Sequence, residues 1–182
     1  MESKTLAVYC GSSSGNLRCY SQETVALGTL MAKRGFTLVY GGARFGLMGA
    51  LADSVLAGGG DVIGVIPESM MGSEVAHPGL ERLEVVASMH ERKARMMSLA
   101  HGLIALPGGY GTLEELFEAL AWSQLCLHTK PVGLLNVNHY FDGLLSFLDR
   151  SVEEGFVSIQ HRRLLLEARS SVELFNRLSE SF

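Results

Sequence analysis

The segment from Pro107 to Glu115, PGGYGTLEE, combines glycines, a hydroxyl and two carboxylates in nine residues. Glycine has no Cβ, so its N–H groups can approach an anion closely, and the N-terminus of a following helix adds positive dipole charge. We predict a phosphate-binding loop formed by Gly108, Gly109, Tyr110, Gly111 and Thr112. The alternative is a plain turn with Thr112 as the N-cap and Glu115 completing a capping box, and Glu115 can combine that role with a chemical one.

A second polar group occurs in Ser88-Met89-His90-Glu91-Arg92-Lys93. Ser88 and Glu91 have the spacing of a capping box, which predicts a helix beginning here. Arg92 and Lys93 then follow the first turn, where the helix dipole does not favour cations. An arginine offers a planar fork for a phosphate or a ribose, so Arg92 is a candidate ligand-binding residue. The alternative is that both residues are solvated surface cations.

Several common site types are missing from the sequence. The glycine loops do not match the Walker A pattern or G-x-G-x-x-G, and Tyr40-Gly41-Gly42 lacks the acidic residue of a dinucleotide site. We therefore expect neither a kinase nor a dehydrogenase. No His/Cys/Asp/Glu cluster has the spacing of metal ligands, and no Ser/His/Asp arrangement is evident, so we expect no metal and no cofactor.

Continuous apolar runs alternate with longer helical patterns along the chain. Unbroken apolar runs are typical of strands buried on both faces of a parallel sheet. The predicted strands are Thr5–Cys10, Thr37–Tyr40, Val62–Ile66, Leu83–Val86, Leu103–Leu106 and Val132–Leu135. The predicted helices are Ser21–Arg34, Leu47–Ala57, Met89–Ala100, Leu113–Leu125, Phe141–Glu154 and Val172–Ser181. This alternation predicts one α/β domain, a doubly wound, Rossmann-like parallel sheet with helices on both faces.

Three of the predicted strands run directly into glycine-rich loops. The loops begin at Gly11, Gly41 and Pro107, each after a predicted strand. In an open parallel sheet such loops emerge at the carboxyl edge, where ligands bind. The sequence therefore predicts a pocket at this edge, with Ser12 and Gly42 among the residues that contact the ligand.

Composition narrows the classes of partner. The 182 residues carry a formal net charge of −4, which argues against binding to nucleic acid. No stretch approaches the roughly 18–20 apolar residues of a membrane-spanning helix. The three cysteines, Cys10, Cys19 and Cys126, include no C-x-x-C pair, so we expect reduced thiols and a cytoplasmic protein.

Taken together, Gly46-Leu47-Met48-Gly49, Met89-His90-Glu91-Arg92-Lys93 and PGGYGTLEE resemble the Lonely Guy (LOG) family over essentially the whole chain. These are cytokinin-activating phosphoribohydrolases, which have also been labelled possible lysine decarboxylases. The resemblance implies a Rossmann-like fold, a homodimer with sites near the subunit interface, and release of a free base and ribose 5-phosphate.

By the same resemblance, Arg92 and Glu115 match the catalytic arginine and glutamate of the family. Lys93 and the segment from Gly108 to Thr112 match its nucleotide-binding positions, and Glu74 matches an acidic ligand contact. Two residues depart from the family pattern: Ala43 stands in place of a glycine, and Ala121 in place of a threonine that relatives often carry. Both leave the base preference open between adenine and N6-prenyl-adenine.

The expected reaction is hydrolysis of the N-glycosidic bond of an adenosine-type nucleoside 5′-monophosphate. Such a reaction passes through an oxocarbenium-like sugar, which Glu115 would stabilise while it orients water. The glycine loop would hold the phosphate, and Arg92 would fix the ribose phosphate or polarise the base. Two alternatives remain: a non-catalytic nucleotide-binding or carrier module, and phosphoribosyl transfer to another acceptor. Decarboxylation of lysine is not expected, because its usual pyridoxal chemistry requires a Schiff-base lysine and a partner shell.

Overall fold

The computed structural model describes residues 4–71 and 75–180. The strands are β1 (Thr5–Tyr9), β2 (Thr37–Tyr40), β3 (Val62–Pro67), β4 (Arg82–Val86), β5 (Gly102–Ala105), β6 (Val132–Leu135) and β7 (Leu165–Ala168). The helices are α1 (Arg18–Lys33), α2 (Gly46–Ala57), α3 (Glu68–Met71), α4 (Met89–Leu99), α5 (Tyr110–Gln124), α6 (Asp142–Glu153), α7 (Ile159–Arg162) and α8 (Ser171–Ser179), with a 3₁₀ turn at Val137–His139.

The seven strands form one parallel sheet in the order β4-β3-β2-β1-β5-β6-β7. From β1 the chain first builds outward to β4 and then returns to build outward through β5 to β7. The strand order therefore reverses between β1 and β5, the point at which open α/β sheets bind ligands. This topology confirms the predicted doubly wound fold.

Two apolar layers cover the sheet. Helices α1, α2 and α8 pack on one face, around a core that includes Leu27, Leu51 and Phe175. Helices α4, α5 and α6 contribute to the other, around Met96, Leu116 and Leu148. Burial on both faces explains why the central strands are continuously apolar.

The six predicted strands are confirmed to within one residue at each end, and the predicted helices to within three residues where the structure describes them. The predicted end of the last helix, Ser181, lies outside the described residues. Strand β7 and the short helices α3 and α7 were not predicted from the sequence. Strand β7 lies at the edge of the sheet, and its two middle residues are only half-buried, so it lacks a continuous buried run. Within residues 4–71 and 75–180, no helix combines the length and apolar character needed to cross a bilayer.

Candidate active site

The three glycine-rich loops meet at the carboxyl edge and hold one another in place. The N–H of Gly11 donates to the carbonyl of Pro107 at 3.1 Å, and the N–H of Leu47 donates to the carbonyl of Gly11 at 3.1 Å. Gly46 has a φ of +59°, and a Cβ there would lie 2.3 Å from the carbonyl carbon of Ser12. Part of the glycine content is therefore explained by contact between the loops themselves.

A cavity of about 320 Å³ opens beside the junction of β1 and β5. It brings together seven of the predicted site residues: Ser12, Arg92, Gly109, Tyr110, Gly111, Thr112 and Glu115. Its apolar wall includes Val8, Met48, Met89 and Met96. Predicted residues from the loop after β1, from α4 and from the start of α5 thus meet in one concave site.

Glu115 is the most unusual group in this cavity. Its side chain is only 11% exposed, and its Oε1 atom is buried without a hydrogen-bond partner. Burial raises the pKa of the carboxyl to about 7, although the neighbouring Arg92 acts in the opposite direction. A buried carboxyl with a free oxygen and a pKa near neutrality is typical of functional sites.

Arg92 faces Glu115 across the cavity. Its Nη1 atom lies 3.7 Å from Oε1 of Glu115, close enough for attraction but beyond a hydrogen bond. Its Nε atom donates to the carbonyl of Val65 at 3.1 Å, which fixes the guanidinium to the end of β3. A Cβ on Gly41 would lie 1.8 Å from Nη2 of Arg92, so glycine at this position makes room for the arginine.

The N-terminus of α5 corrects one part of the sequence analysis. The helix begins at Tyr110 with Gly109 as its N-cap, which rules out the alternative interpretation of Thr112 and Glu115 as a capping box. Thr112 is buried in the first turn, and Glu115 lies one turn further on. Early N–H groups in a helix have no partner within it, and the residues carrying three of them, Tyr110, Gly111 and Thr112, line the cavity. No side chain caps this helix, and N–H groups at such a helix start are of the kind that bind anions.

The other predicted cap is confirmed. At the start of α4 the N–H of Glu91 donates to Oγ of Ser88 at 3.2 Å, and Oε2 of Glu91 accepts from the N–H of Ala87 at 3.0 Å. This cap fixes the turn from which Arg92 projects.

Four predicted residues do not line this cavity. Lys93 is 7% exposed, and its Nζ contacts Glu114 and Glu118 of α5. Gly42, with a φ of +75°, packs instead against Leu83 and Ile66. Gly108 lines an adjoining cavity, and Glu74 lies outside the described residues.

The adjoining cavity, of about 270 Å³, contains two residues that the sequence analysis missed. The rings of Tyr20 and Tyr140 pack edge to face with centroids 5.7 Å apart, and the hydroxyl of Tyr140 donates to the carbonyl of Gly108 at 2.8 Å. Tyr140 follows a turn in which Asn138 and His139 both have positive φ. The available signal was a polar Asn-His pair in a loop after another parallel strand, since asparagine tolerates this conformation.

The lysines do not fit pyridoxal phosphate. No lysine lines the cavity around Glu115 in the described chain, Lys93 is engaged by two carboxylates, and Nζ of Lys130 donates to main-chain carbonyls at the end of α4. A Schiff-base lysine is therefore lacking where the site would need one. Among residues 4–71 and 75–180, no three His, Cys, Asp or Glu side chains group as metal ligands would.

Solved structures share this architecture. The molybdenum cofactor binding protein from Rippkaea orientalis aligns with a TM-score of 0.75 at 22% identity, over 99% of this chain and 98% of that one. The Moco carrier protein from Chlamydomonas reinhardtii aligns with a TM-score of 0.74 at 19% identity, over 99% and 98% of the two chains. At this level of identity the likeness concerns the fold.

Other relatives share much more of the sequence than these solved structures do. The family model described as "Possible lysine decarboxylase" matches residues 48–178. The cytokinin riboside 5′-monophosphate phosphoribohydrolase LOG1 of Arabidopsis thaliana is 48% identical over 97% of this chain and 83% of its own length. The probable cytokinin riboside 5′-monophosphate phosphoribohydrolase LOGL9 of Oryza sativa subsp. japonica is 49% identical over 97% and 78%. With such identity over nearly its whole length, and with the fold and loops that its sequence predicted, this chain belongs to the Lonely Guy (LOG) family.

Proposed function

We propose that the protein is an N-glycosyl hydrolase acting on adenosine-type nucleoside 5′-monophosphates, AMP or N6-prenyl-AMP. The products are the free base and ribose 5-phosphate. The observation that carries the proposal is the buried carboxylate of Glu115, 3.7 Å from Arg92, in a cavity that also contains the first turn of α5. The plant relatives, named cytokinin riboside 5′-monophosphate phosphoribohydrolases, support the same reaction and substrate class.

The first turn of α5 supplies the phosphate site. The N–H groups of Tyr110, Gly111 and Thr112 carry the positive end of the helix dipole, and Ser12 adds a hydroxyl from the loop after β1. A Cβ on Gly109 or Gly111 would meet no atom within 4 Å, so packing does not require glycine there. Their small size leaves room for a ligand to approach the backbone.

Glu115 acts at the sugar. As the bond from C1′ to the base nitrogen lengthens, positive charge develops on the ribose, and an ionised carboxylate beside it stabilises that charge. The same carboxylate orients a water molecule whose oxygen bonds to C1′. Overall, one water divides between the products, the hydroxyl going to ribose 5-phosphate and the proton to the base.

Arg92 orients the substrate. Its Nε donates to the carbonyl of Val65 and its Nη1 donates to the sulfur of Met89, so the guanidinium is held in place and presents its remaining N–H groups to the ribose phosphate or to the leaving base. Its charge also favours the ionised form of Glu115. The pair therefore combines positioning with electrostatic stabilisation.

The reaction is tested by following ribose 5-phosphate release from AMP, N6-isopentenyl-AMP and adenosine. We expect both nucleotides to yield base and ribose 5-phosphate in equal amounts, and adenosine to react much more slowly, because the phosphate binding energy is then lost. Equal turnover of adenosine and AMP contradicts the proposal. Binding of AMP without release of base would instead indicate a carrier, and formation of a phosphoribosyl adduct would indicate a transferase.

We also propose a homodimer, as the family resemblance implies. An apolar groove lies between α5, α6 and α7, with Phe117 and Ala121 on its α5 side. Since α5 also carries Glu115, an interface on this surface would lie beside the site. Light scattering at micromolar concentration should give a dimer or a multiple of one, whereas an active monomer contradicts this.

For the compartment, we propose the cytoplasm. The support is the sequence argument from the three cysteines, which are free thiols in the structure. Fractionation of cells that produce the protein tests this, and recovery in an extracellular fraction contradicts it.

A further inference from the structure

Lys93 lies between the two helices that carry Arg92 and Glu115. It follows Arg92 on α4, and its side chain is almost fully buried. Its Nζ atom contacts Oε1 of Glu118 at 3.0 Å and also contacts Glu114, both on α5. The ammonium group therefore bridges α4 and α5 beside the facing pair of Arg92 and Glu115.

These contacts do not suit a phosphate ligand. One ammonium between two carboxylates leaves a local net charge of −1, which repels a phosphate. Lys93 is also absent from the lining of both cavities at the loop junction. Releasing its Nζ to bind a substrate would break contacts with two carboxylates and leave charges without a partner, which is costly in a partly buried position.

The same contacts suit a positioning role. Glu114 and Glu118 lie one turn apart on the same face of α5, with Glu115 beside them, so a cation that holds both of them also fixes the part of α5 that carries Glu115. Arg92 is fixed to Val65, and its distance from Glu115 then depends on how α5 lies against α4. We propose that Lys93 is a positioning residue: through Glu114 and Glu118 it holds α5 against α4 with Glu115 opposite Arg92, and it is not a phosphate ligand. This inference deepens the proposed function and rests on it for its kinetic part.

The charges around Glu115 support a measurable consequence. Arg92 and Lys93 of α4 lower the pKa of Glu115, whereas Glu114 and Glu118 of α5 raise it. Tyr9 at the end of β1 and Cys10 just after it also lie near Glu115; burial raises the pKa of each, so both stay neutral. Loss of the Lys93 charge should therefore shift the ionisation of Glu115 to higher pH, and loss of Glu118 should shift it back.

The test is a double-mutant cycle with Lys93→Met, Glu118→Met and the combined variant, with Lys93→Arg as the conservative change. We expect Lys93→Met to lower kcat by about tenfold or more, with the KM for AMP and the Kd for ribose 5-phosphate within about threefold of wild type. The combined variant should regain most of the lost kcat, because an apolar pair replaces a broken buried ion pair. Lys93→Arg should keep kcat within about threefold, since it retains the charge.

The pH profile separates positioning from a general loss of stability. In Lys93→Met the acid limb of kcat/KM should move to higher pH, and in the combined variant it should move back. Arg95→Met is the matched control, because Arg95 lies on the same helix and pairs with Glu84 outside the cavity. In Arg95→Met the acid limb of kcat/KM should remain at the same pH as in the wild type.

Two results overturn the proposal. One is a rise of about tenfold or more in the Kd for ribose 5-phosphate that persists in the combined variant, as a lost phosphate ligand requires. The other is additive changes in melting temperature around the cycle, since coupled residues must deviate from additivity. The melting cycle needs no turnover, so it still tests the contact between the helices if the wild type fails to cleave AMP, a result that would refute the proposed function instead.

Discussion

At the residue scale, the site depends on one carboxyl group kept away from water. Glu115 has a buried oxygen without a hydrogen-bond partner and a pKa of about 7. Arg92 lies 3.7 Å away, so attraction offsets the desolvation of the carboxylate only in part. In the proposed reaction, such a carboxylate is poorly solvated at the start and gains a partner when positive charge develops on the sugar.

The pKa of Glu115 predicts the pH dependence of catalysis. Burial raises this pKa from its ordinary value of 4.5 to about 7, and the proposed mechanism requires the ionised form. kcat/KM for AMP should therefore rise with pH through an acid limb near pH 7 and level off above it. Initial rates measured between pH 5 and pH 9 in overlapping buffers define this limb. A limb near the ordinary glutamate pKa would contradict the role of burial.

Replacing Gly41 by alanine tests whether the position of Arg92 matters for catalysis. In Gly41→Ala the new methyl group would lie 1.8 Å from Nη2 of Arg92, so the guanidinium must move. We expect a folded protein with kcat/KM lower by about tenfold or more. Gly143→Ala on α6 is the control, because a Cβ there meets no atom within 4 Å and alanine favours a helix. Full activity in Gly41→Ala would contradict the position of Arg92.

At the scale of elements, the start of α5 shows what the sequence leaves open, because it offered both an anion-binding loop and a capping box. The spacing of Thr112 and Glu115 suits a capping box, yet the helix begins two residues before Thr112, at Tyr110. A pattern of four residues does not specify the register of the helix, and here Gly109 rather than Thr112 is the N-cap. The prediction of an anion site does not depend on that register, since glycines and a helix N-terminus are present either way.

Alanine substitutions at Gly111 and Gly108 should have opposite effects on the melting temperature. In Gly111→Ala the Cβ meets no protein atom within 4 Å but lines the cavity, so the melting temperature should hold or rise. The KM for AMP should then increase by about tenfold or more, because the methyl group occupies space that the ligand needs.

Gly108→Ala should instead destabilise the fold. Its Cβ would lie 2.1 Å from Oγ1 of Thr112 and 2.9 Å from the nitrogen of Gly11. Forcing extra volume into a packed site costs about 1–3 kcal/mol, which thermal unfolding of both variants can measure. Equal destabilisation by the two changes would contradict the division between a packing glycine and a ligand-binding glycine.

Other elements were predictable to different degrees. Six strands could be read from continuous apolar runs, because both of their faces are covered. The edge strand β7 could not, and neither could the partners of Lys93, because Glu114 and Glu118 approach it only once α4 and α5 share a face of the sheet. Tyr140 was missed for the same reason, since its place beside Gly108 depends on the parallel pairing of β5 and β6.

At the scale of the whole molecule, burying the ionised carboxylate of Glu115 lowers the free energy of unfolding. The pKa of Glu115 is about 7 in the folded chain against an ordinary 4.5, so between these values the folded state holds a proton that the unfolded state has lost. Stability therefore falls as pH rises through this window and levels off above pH 7. At about 1.4 kcal/mol per pKa unit, the ionised carboxylate costs the fold about 3 kcal/mol.

Glu115→Gln should remove this cost. The melting temperature of the variant relative to wild type should be higher at pH 8 than at pH 5, by about 5–10 °C for a chain of this size. Thermal unfolding at both pH values measures the difference. If the two proteins differ in melting temperature by the same amount at pH 5 and at pH 8, Glu115 does not titrate in this window.

The most direct test of the account is the turnover of AMP by wild type and by Glu115→Gln. The variant keeps the size of the side chain but removes the charge that faces the sugar. We expect wild type to release adenine and ribose 5-phosphate in equal amounts, and the variant to lose a factor of about 10²–10⁴ in both kcat and kcat/KM while it still binds AMP. A folded variant that keeps more than about a tenth of the wild-type kcat would contradict the central role of Glu115.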